Sequence, residues 1–284
     1  MGIQFEKVNF SYGKSNNMQQ KWVLKDINLK INSQDEFIAL VGQTGSGKST
    51  LVQLMNALLT TNMGKVAIFG QTIDCKTKKK LLIPLRGQVG LVFQFPEYQL
   101  FETTILKDVM FAPLNFCKNK KEATIKAIEA LEQTKIDPSL HQKSPFQISD
   151  GQQRKVAIAG VLAMEPNILI LDEPTRGLDL ESQINIMLFL KELNTVARKT
   201  IIMITHDMNL VAQYAKRVIT LFQGKILFDG LKEAFFEHPQ FLKFHLDMPE
   251  TFKILKYLNY TLGIPFKPQY HFSDLLQYLK KFYD

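Results

Sequence analysis

The 284-residue sequence has only two cysteines, Cys75 and Cys117, far apart and without metal-ligand spacing. Neither a disulfide scaffold nor a structural zinc site is expected, and a reducing compartment is. No apolar run approaches the roughly 20 residues that a membrane-spanning helix needs. The opening MGIQFEKVNF lacks the basic and apolar regions of a signal peptide. Internal repeats, low-complexity tracts and sustained heptads are also missing. What is present is the composition of a folded globular protein: 45% hydrophobic, 22% charged and 11% aromatic residues. The length suits a main domain with a smaller appendage.

The formal net charge is +8, and the densest basic run is Lys76 with Lys78, Lys79 and Lys80, followed by Arg86. Such a run serves either nucleic acid or anionic lipid, or it is a solvated loop and helix face. The second reading is favoured, because no aromatic side chains interleave the run for base stacking.

Strand-like alternation opens the chain in IQFEKVNFSY and VLKDINLKI, and FIALV is apolar on both faces. A Gly-rich loop precedes a helix expected from about Lys48 to Leu59. KVAIFG and QVGLVFQ read as strands, and residues 104–134 carry helical periodicity with Pro113 as a local break. Helix and strand then alternate through VAIAGVLAM, NILILDEP, INIMLFLKELNTVA and TIIMITHD, and RVITLFQGKILFDG reads as a hairpin. Two-sided apolar strands alternating with helices predict an α/β core with a largely parallel sheet over residues 1–230. Residues 231–284 are aromatic-rich and helical in pattern, and form a small C-terminal module.

Gly42-Gln43-Thr44-Gly45-Ser46-Gly47-Lys48-Ser49-Thr50 fits G-x-x-x-x-G-K-[ST], after an apolar strand and at a helix start. Its glycines let the backbone curl so that successive N–H groups face phosphates. Lys48 supplies a point charge to the β- and γ-phosphates, and the Ser49 hydroxyl can hold Mg²⁺. The strand Ile168–Leu171 runs into Asp172 and Glu173. Asp172 is assigned to the metal and Glu173 to general base or water orientation. The strand TIIMIT leads to His206, which puts an imidazole at the same sheet edge.

In QISDGQQRK, residues 147–155, Ser149 followed by Gln152 is a capping-box pattern that marks a helix start. Free N–H groups and the positive dipole end make such a start an anion site. Asp150 places a carboxylate there, either turned to solvent or competing with an anion.

Together these motifs resemble the ATP-binding cassette (ABC) superfamily over about residues 3–230. The resemblance implies a P-loop NTPase fold with a mixed-sheet core, an antiparallel β subdomain and a helical subdomain. It also implies that Tyr12 stacks on adenine, and that Gln94 contacts Mg²⁺ and the attacking water. Ser149, Gly151 and Gln152 would form the signature motif, with Ile148 and Asp150 departing from its usual Leu-Ser-Gly-Gly-Gln. Gly177-Leu178-Asp179 would cross to a partner subunit, and His206 would be the switch histidine. Two subunits would then face head to tail, each ATP held between one phosphate loop and the other signature helix.

The stretch Phe93-Gln94-Phe95-Pro96-Glu97-Tyr98-Gln99-Leu100-Phe101-Glu102 is similar to the ATPase subunits of energy-coupling factor (ECF) transporters, the second of the two above all. That resemblance implies a vitamin or metal-ion importer at the cytoplasmic face of the cell membrane. Its partners would be a related ATPase in a heterodimer, an integral-membrane coupling subunit and a substrate-capture subunit. Glu97 and Glu102 are expected to meet an arginine of the coupling subunit, and the C-terminal module to add dimer contacts. The rival is a soluble ABC ATPase acting on nucleic acid or ribosomes. Such proteins usually carry a coiled-coil insertion or a second cassette, so no nucleic acid is expected. A scaffold that binds ATP without hydrolysing it fits poorly with Glu173 and His206.

Overall fold

The computed structural model describes residues 2–13, 21–117, 119–239, 241 and 246–282. Two sheets organise it. The first is antiparallel: β1 (Ile3–Phe10), β2 (Leu24–Ile31), β4 (Met63–Ile68) and β5 (Gln71–Ile73), in the order β2-β1-β4-β5. The alternation read in LKDINLKI is one-sided burial, with Leu24, Ile27, Leu29 and Ile31 facing the core.

The second sheet runs β10-β9-β3-β8-β7-β6. Strands β3 (Phe37–Val41), β6 (Val89–Val92), β7 (Ile168–Asp172), β8 (Thr200–Ile204) and β9 (Arg217–Phe222) are parallel, and β10 (Lys225–Leu231) returns antiparallel as the expected hairpin. All five residues of β3 are buried because both of its faces are covered. Ile38 and Leu40 join the core beneath the antiparallel sheet, while Phe37, Ala39 and Val41 pack with helices on the other side.

Helix α1 (Lys48–Met55) follows β3 and stops four residues short of Leu59. The Asn56 side chain donates to the Val89 carbonyl, and Ala57 turns left-handed at φ 56°, so the helix cannot continue. The basic run falls on helix α2 (Lys79–Gln88) and the loop before it, and Lys79 and Lys80 are exposed. Helices α3 (Ile105–Leu114), α4 (Lys120–Gln133) and α5 (Asp150–Leu162) form the helical subdomain, with Pro113 one residue before the end of α3. Helix α6 (Leu180–Thr195) connects β7 to β8, and α7 (Met208–Tyr214) connects β8 to β9.

Beyond β10, the described residues form helices α8 (Lys232–Phe236), α9 (Glu250–Leu262) and α10 (Phe272–Lys280). Phe235, Phe236, Phe241 and Phe252 share a buried cluster with Ala39, Val41, Val211 and Val218. The C-terminal segment is therefore built onto the central sheet through aromatic burial, each ring removing ~150–250 Å² from water.

Candidate nucleotide site

Parallel pairing brings the carboxyl ends of β3, β6, β7 and β8 to one edge, where ligands of open α/β sheets gather. Gly42 follows β3, Gln94 follows β6, Asp172 ends β7 and His206 follows β8. Thr44, Gly45, Gly47, Lys48, Ser49, Thr50, Gln94, Asp172 and Glu173 line one pocket of about 320 Å³.

Gly42 has φ 144°, and a Cβ there would lie 2.1 Å from the Leu221 carbonyl oxygen. Only glycine lets the loop leave β3 this close to β9. Lys48 reaches back along its own loop, its Nζ donating to the carbonyls of Gly42 at 2.6 Å and Gln43 at 2.9 Å. Burial lowers the Lys48 ammonium from its ordinary value, partly offset by the charges of Asp172 and Glu173. Burial also raises Asp172, with Glu173 adding repulsion, while Lys48 and the Ser49 hydroxyl pull it down. Both groups lack solvation that a phosphate and its cation would supply.

The residues fit Mg²⁺. Ser49 and Asp172 line the same pocket and offer the hard oxygen donors that this ion takes. Among the described residues no cluster of three His, Cys, Asp or Glu could hold a metal by itself. A cation here would complete its shell with phosphate and water, as Mg²⁺ does at nucleotides. Ser46 Oγ is buried without a hydrogen-bond partner among the described residues, an orphan donor inside the phosphate loop.

Glu173 is held from two sides. His206 Nδ1 is 2.7 Å from one carboxylate oxygen, and the Thr205 hydroxyl is 3.4 Å from the other. Its backbone is left-handed at φ 49°, and its N–H donates to the Ile204 carbonyl at 2.9 Å. This rare backbone conformation turns the carboxylate away from the path of β7 and towards β8.

Tyr12 is 64% exposed, with its hydroxyl 2.9 Å from that of Thr50 and its ring edge-on to Phe10. It borders the cavity next to the phosphate pocket rather than the pocket itself.

The capping box is present: Ser149 caps α5, accepting from the Gln152 N–H, and Gln152 reaches back to the Ser149 N–H. Ser149, Gly151, Gln152 and Lys155 line a second concavity, of about 480 Å³, with Asp179, Glu181 and Ser182 at the start of α6. A Cβ on Gly151 would stand 2.7 Å from Ser182 Oγ, so glycine permits the two helix starts to converge. Asp179 caps α6 through the Ser182 N–H and hydroxyl. Asp150 is exposed and lies outside this lining. Ser149, not Asp150, is the side chain that accepts from a helix-start N–H, that of Gln152.

One expectation is overturned. Glu97 does not wait on the surface for an arginine from another protein. The left-handed Phe95, φ 52°, and a 3-10 turn at Pro96–Gln99 fold it inward to 9% exposure. There both its oxygens pair with Arg154 of α5, at 2.6 and 3.0 Å. Glu102 is half-buried, and its N–H and that of Phe101 are held by the Asp108 carboxylate. Neither Arg154 nor Asp108 carries a motif that marks it in the sequence. Arg154 stands between Gln153 and Lys155 in the polar first turns of α5, where nothing local sets it apart as buried.

The fold and this pair of sites are those of an ABC-type ATPase, and the ABC transporter family model matches residues 24–176. Among solved structures, CbiO1 from Clostridium perfringens, described as part of the ABC transporter complex cbiONQ, is 33% identical. The match covers 92% of this chain and 95% of that one, with a TM-score of 0.74. The dimeric cassette MJ0796 bound to ADP and Pi is 29% identical over 81% of this chain and 98% of that one, with a TM-score of 0.70. The energy-coupling factor transporter ATP-binding protein EcfA2 of Ligilactobacillus salivarius is 47% identical, covering 88% of this chain and 86% of that protein. EcfA2 of Bacillus cereus is 42% identical over 93% and 90%. The chain belongs to the ATP-binding proteins of energy-coupling factor transporters, and it is an ATPase.

Proposed function

We propose that the chain works as one half of a heterodimer with a related ATPase, at the cytoplasmic face of the cell membrane, where ATP hydrolysis powers an importer. Support comes from the two half-sites: the Lys48 pocket and the separate Ser149–Asp179 concavity. A lone subunit has no use for the second, whereas a head-to-tail pair places it over the partner's ATP.

In this reading Lys48 and the loop N–H groups bind the β- and γ-phosphates. Ser49, Asp172 and Gln94 would hold Mg²⁺, which neutralises phosphate charge when bound with ATP. Glu173 takes the proton of the attacking water, and His206 keeps its carboxylate aimed. Tyr12 offers its exposed ring to adenine.

The membrane coupling subunit is assigned to an apolar groove of about 250 Å³ lined by Leu91, Pro96, Leu100, Phe101, Phe111 and Val161, with Asp108 at its side. Phe101 and Phe111 meet edge to face at 5.0 Å and remain over half exposed. An apolar, rimmed surface of this kind suits a protein partner. Glu102 remains available to a cationic partner residue; Glu97 is already paired.

Tagged chain isolated from detergent-solubilised membranes, with its companions identified by mass, tests this reading. A second ABC ATPase with integral-membrane subunits is expected. Companionship with ribosomes or nucleic acid would replace the reading with its rival.

A further inference from the structure

The buried pair that removed Glu97 from the surface has a second side. Arg154 is 1% exposed. Its Nε and Nη2 bind both Glu97 oxygens, while Nη1 donates to the carbonyls of Pro174 at 3.0 Å and Arg176 at 2.7 Å. One planar guanidinium thus fastens three segments: the turn after Gln94, the signature helix α5, and the loop between Glu173 and Asp179. A lysine could not reproduce this fork, because its donors radiate from one atom. Phe95 fills the remaining space, its ring 5.9 Å from the guanidinium carbons of both Arg154 and Arg176. Tyr98, 83% exposed, is stacked on Phe95 at 5.8 Å.

The consequence lies in what these segments carry. Pro174 follows Glu173 directly, and Asp179 ends the same loop. Ser149, Gly151 and Gln152 occupy the first turn of the helix that Arg154 anchors. The Glu173 side belongs to this chain's own ATP, and the Ser149 side to the partner's.

We infer that Arg154 is a positioning residue that ties the two ATP-facing edges of the chain into one unit, with Glu97 as the handle by which the Pro96–Gln99 turn moves both. The inference rests on the roles given above to Glu173 and the signature turn. Buried charge makes the link stiff: a guanidinium removed from water keeps its partners or pays for losing them. A shift of the turn therefore carries Arg154, and Arg154 carries both edges.

R154K and Glu97→Gln test this in the purified heterodimer. Both keep side-chain volume; the first removes the fork and the second the countercharge. Hydrogen exchange should quicken together in residues 148–153 and 173–179, while the phosphate loop 42–48 stays as in wild type. ATP turnover should fall on the order of 10²-fold in kcat, as expected when a catalytic group is misplaced by about 1 Å, with KM for ATP unchanged. Exchange that quickens in one segment alone, exchange that rises over the whole chain, or unaltered kcat would overturn the inference. So would failure of both variants to fold, which would make the pair purely structural. Exchange needs neither cargo nor membrane, so this failure is distinct from failure of the transport reading, which would appear as companionship with ribosomes or nucleic acid.

Discussion

His206 Nδ1 stands 2.7 Å from the Glu173 carboxylate, linking the end of β8 to the end of β7. The imidazole is 70% exposed whereas the carboxylate side chain is 14% exposed, so the histidine covers the acid from the solvent side. A carboxylate fixed in this way can accept a proton from water in one direction. His206→Ala should leave ATP affinity and folding stability nearly unchanged, since an exposed side chain typically contributes within about 0.5 kcal/mol. Turnover should fall by ~10²-fold or more, the usual contribution of positioned acid–base groups. Single-turnover hydrolysis beside equilibrium ATP binding separates the two effects.

Lys48→Ala removes the cation of the phosphate loop. A charged hydrogen bond contributes ~1.5–3 kcal/mol, so ATP affinity should drop between about 10- and 150-fold, and hydrolysis in the assembled complex should vanish. Equilibrium nucleotide binding with wild type and variant measures the first, and phosphate release the second. Wild-type turnover in the variant would refute the assignment of the loop.

Asp172 couples the site to stability. Burial raises its carboxyl above the ordinary value of 3.8, so the folded chain holds this proton more tightly than the unfolded chain does. The ligand-free protein therefore loses stability through this group as pH rises from about 4 past the raised folded value. Asp172→Asn should raise the neutral-pH melting temperature of the ligand-free chain and remove that part of the pH slope, while abolishing Mg²⁺-dependent hydrolysis. Melting curves from pH 4 to pH 8 decide it. A lower melting temperature in the variant would contradict the origin given for the shift.

Asp150 carries a charge where the related signature has glycine. It is exposed at the start of α5, so in the proposed heterodimer it would act on the partner's ATP by long-range repulsion, not by capturing N–H donors. Charges at a helix start shift binding by ~0.3–1 kcal/mol. Asp150→Gly should thus strengthen ATP binding at the partner's site about 2- to 5-fold at low salt, and less at high salt. The measurement is made with Lys48→Ala in this chain, so that only the partner's site binds tightly. An unchanged affinity at low salt would show that Asp150 does not act on that site.

Residues that depend on their neighbours in sequence are legible from the chain alone. The phosphate loop, the Asp172-Glu173 strand end, His206 and the Ser149 capping box each carry a local spacing, and parallel pairing of apolar strands brings them to one edge. Glu97 is not legible in this way, for the opposite reason. Its acidity and loop position matched a surface role, but its partner Arg154 lies 57 residues away, and a contact that distant leaves no local pattern. Likewise, the aromatic C-terminal pattern marked helices without revealing that Phe235 and Phe252 close the far side of β3. Helix α1 ended early because Asn56 found a carbonyl on β6, again a contact made only in three dimensions.

The most direct test is Glu173→Gln in the membrane-assembled complex, with bound nucleotide and phosphate release measured together. ATP should be retained, the two ATPase subunits should stay closed on it, and hydrolysis at this chain's site should fall by at least ~10²-fold. Hydrolysis at the wild-type rate would show that Glu173 is not the base.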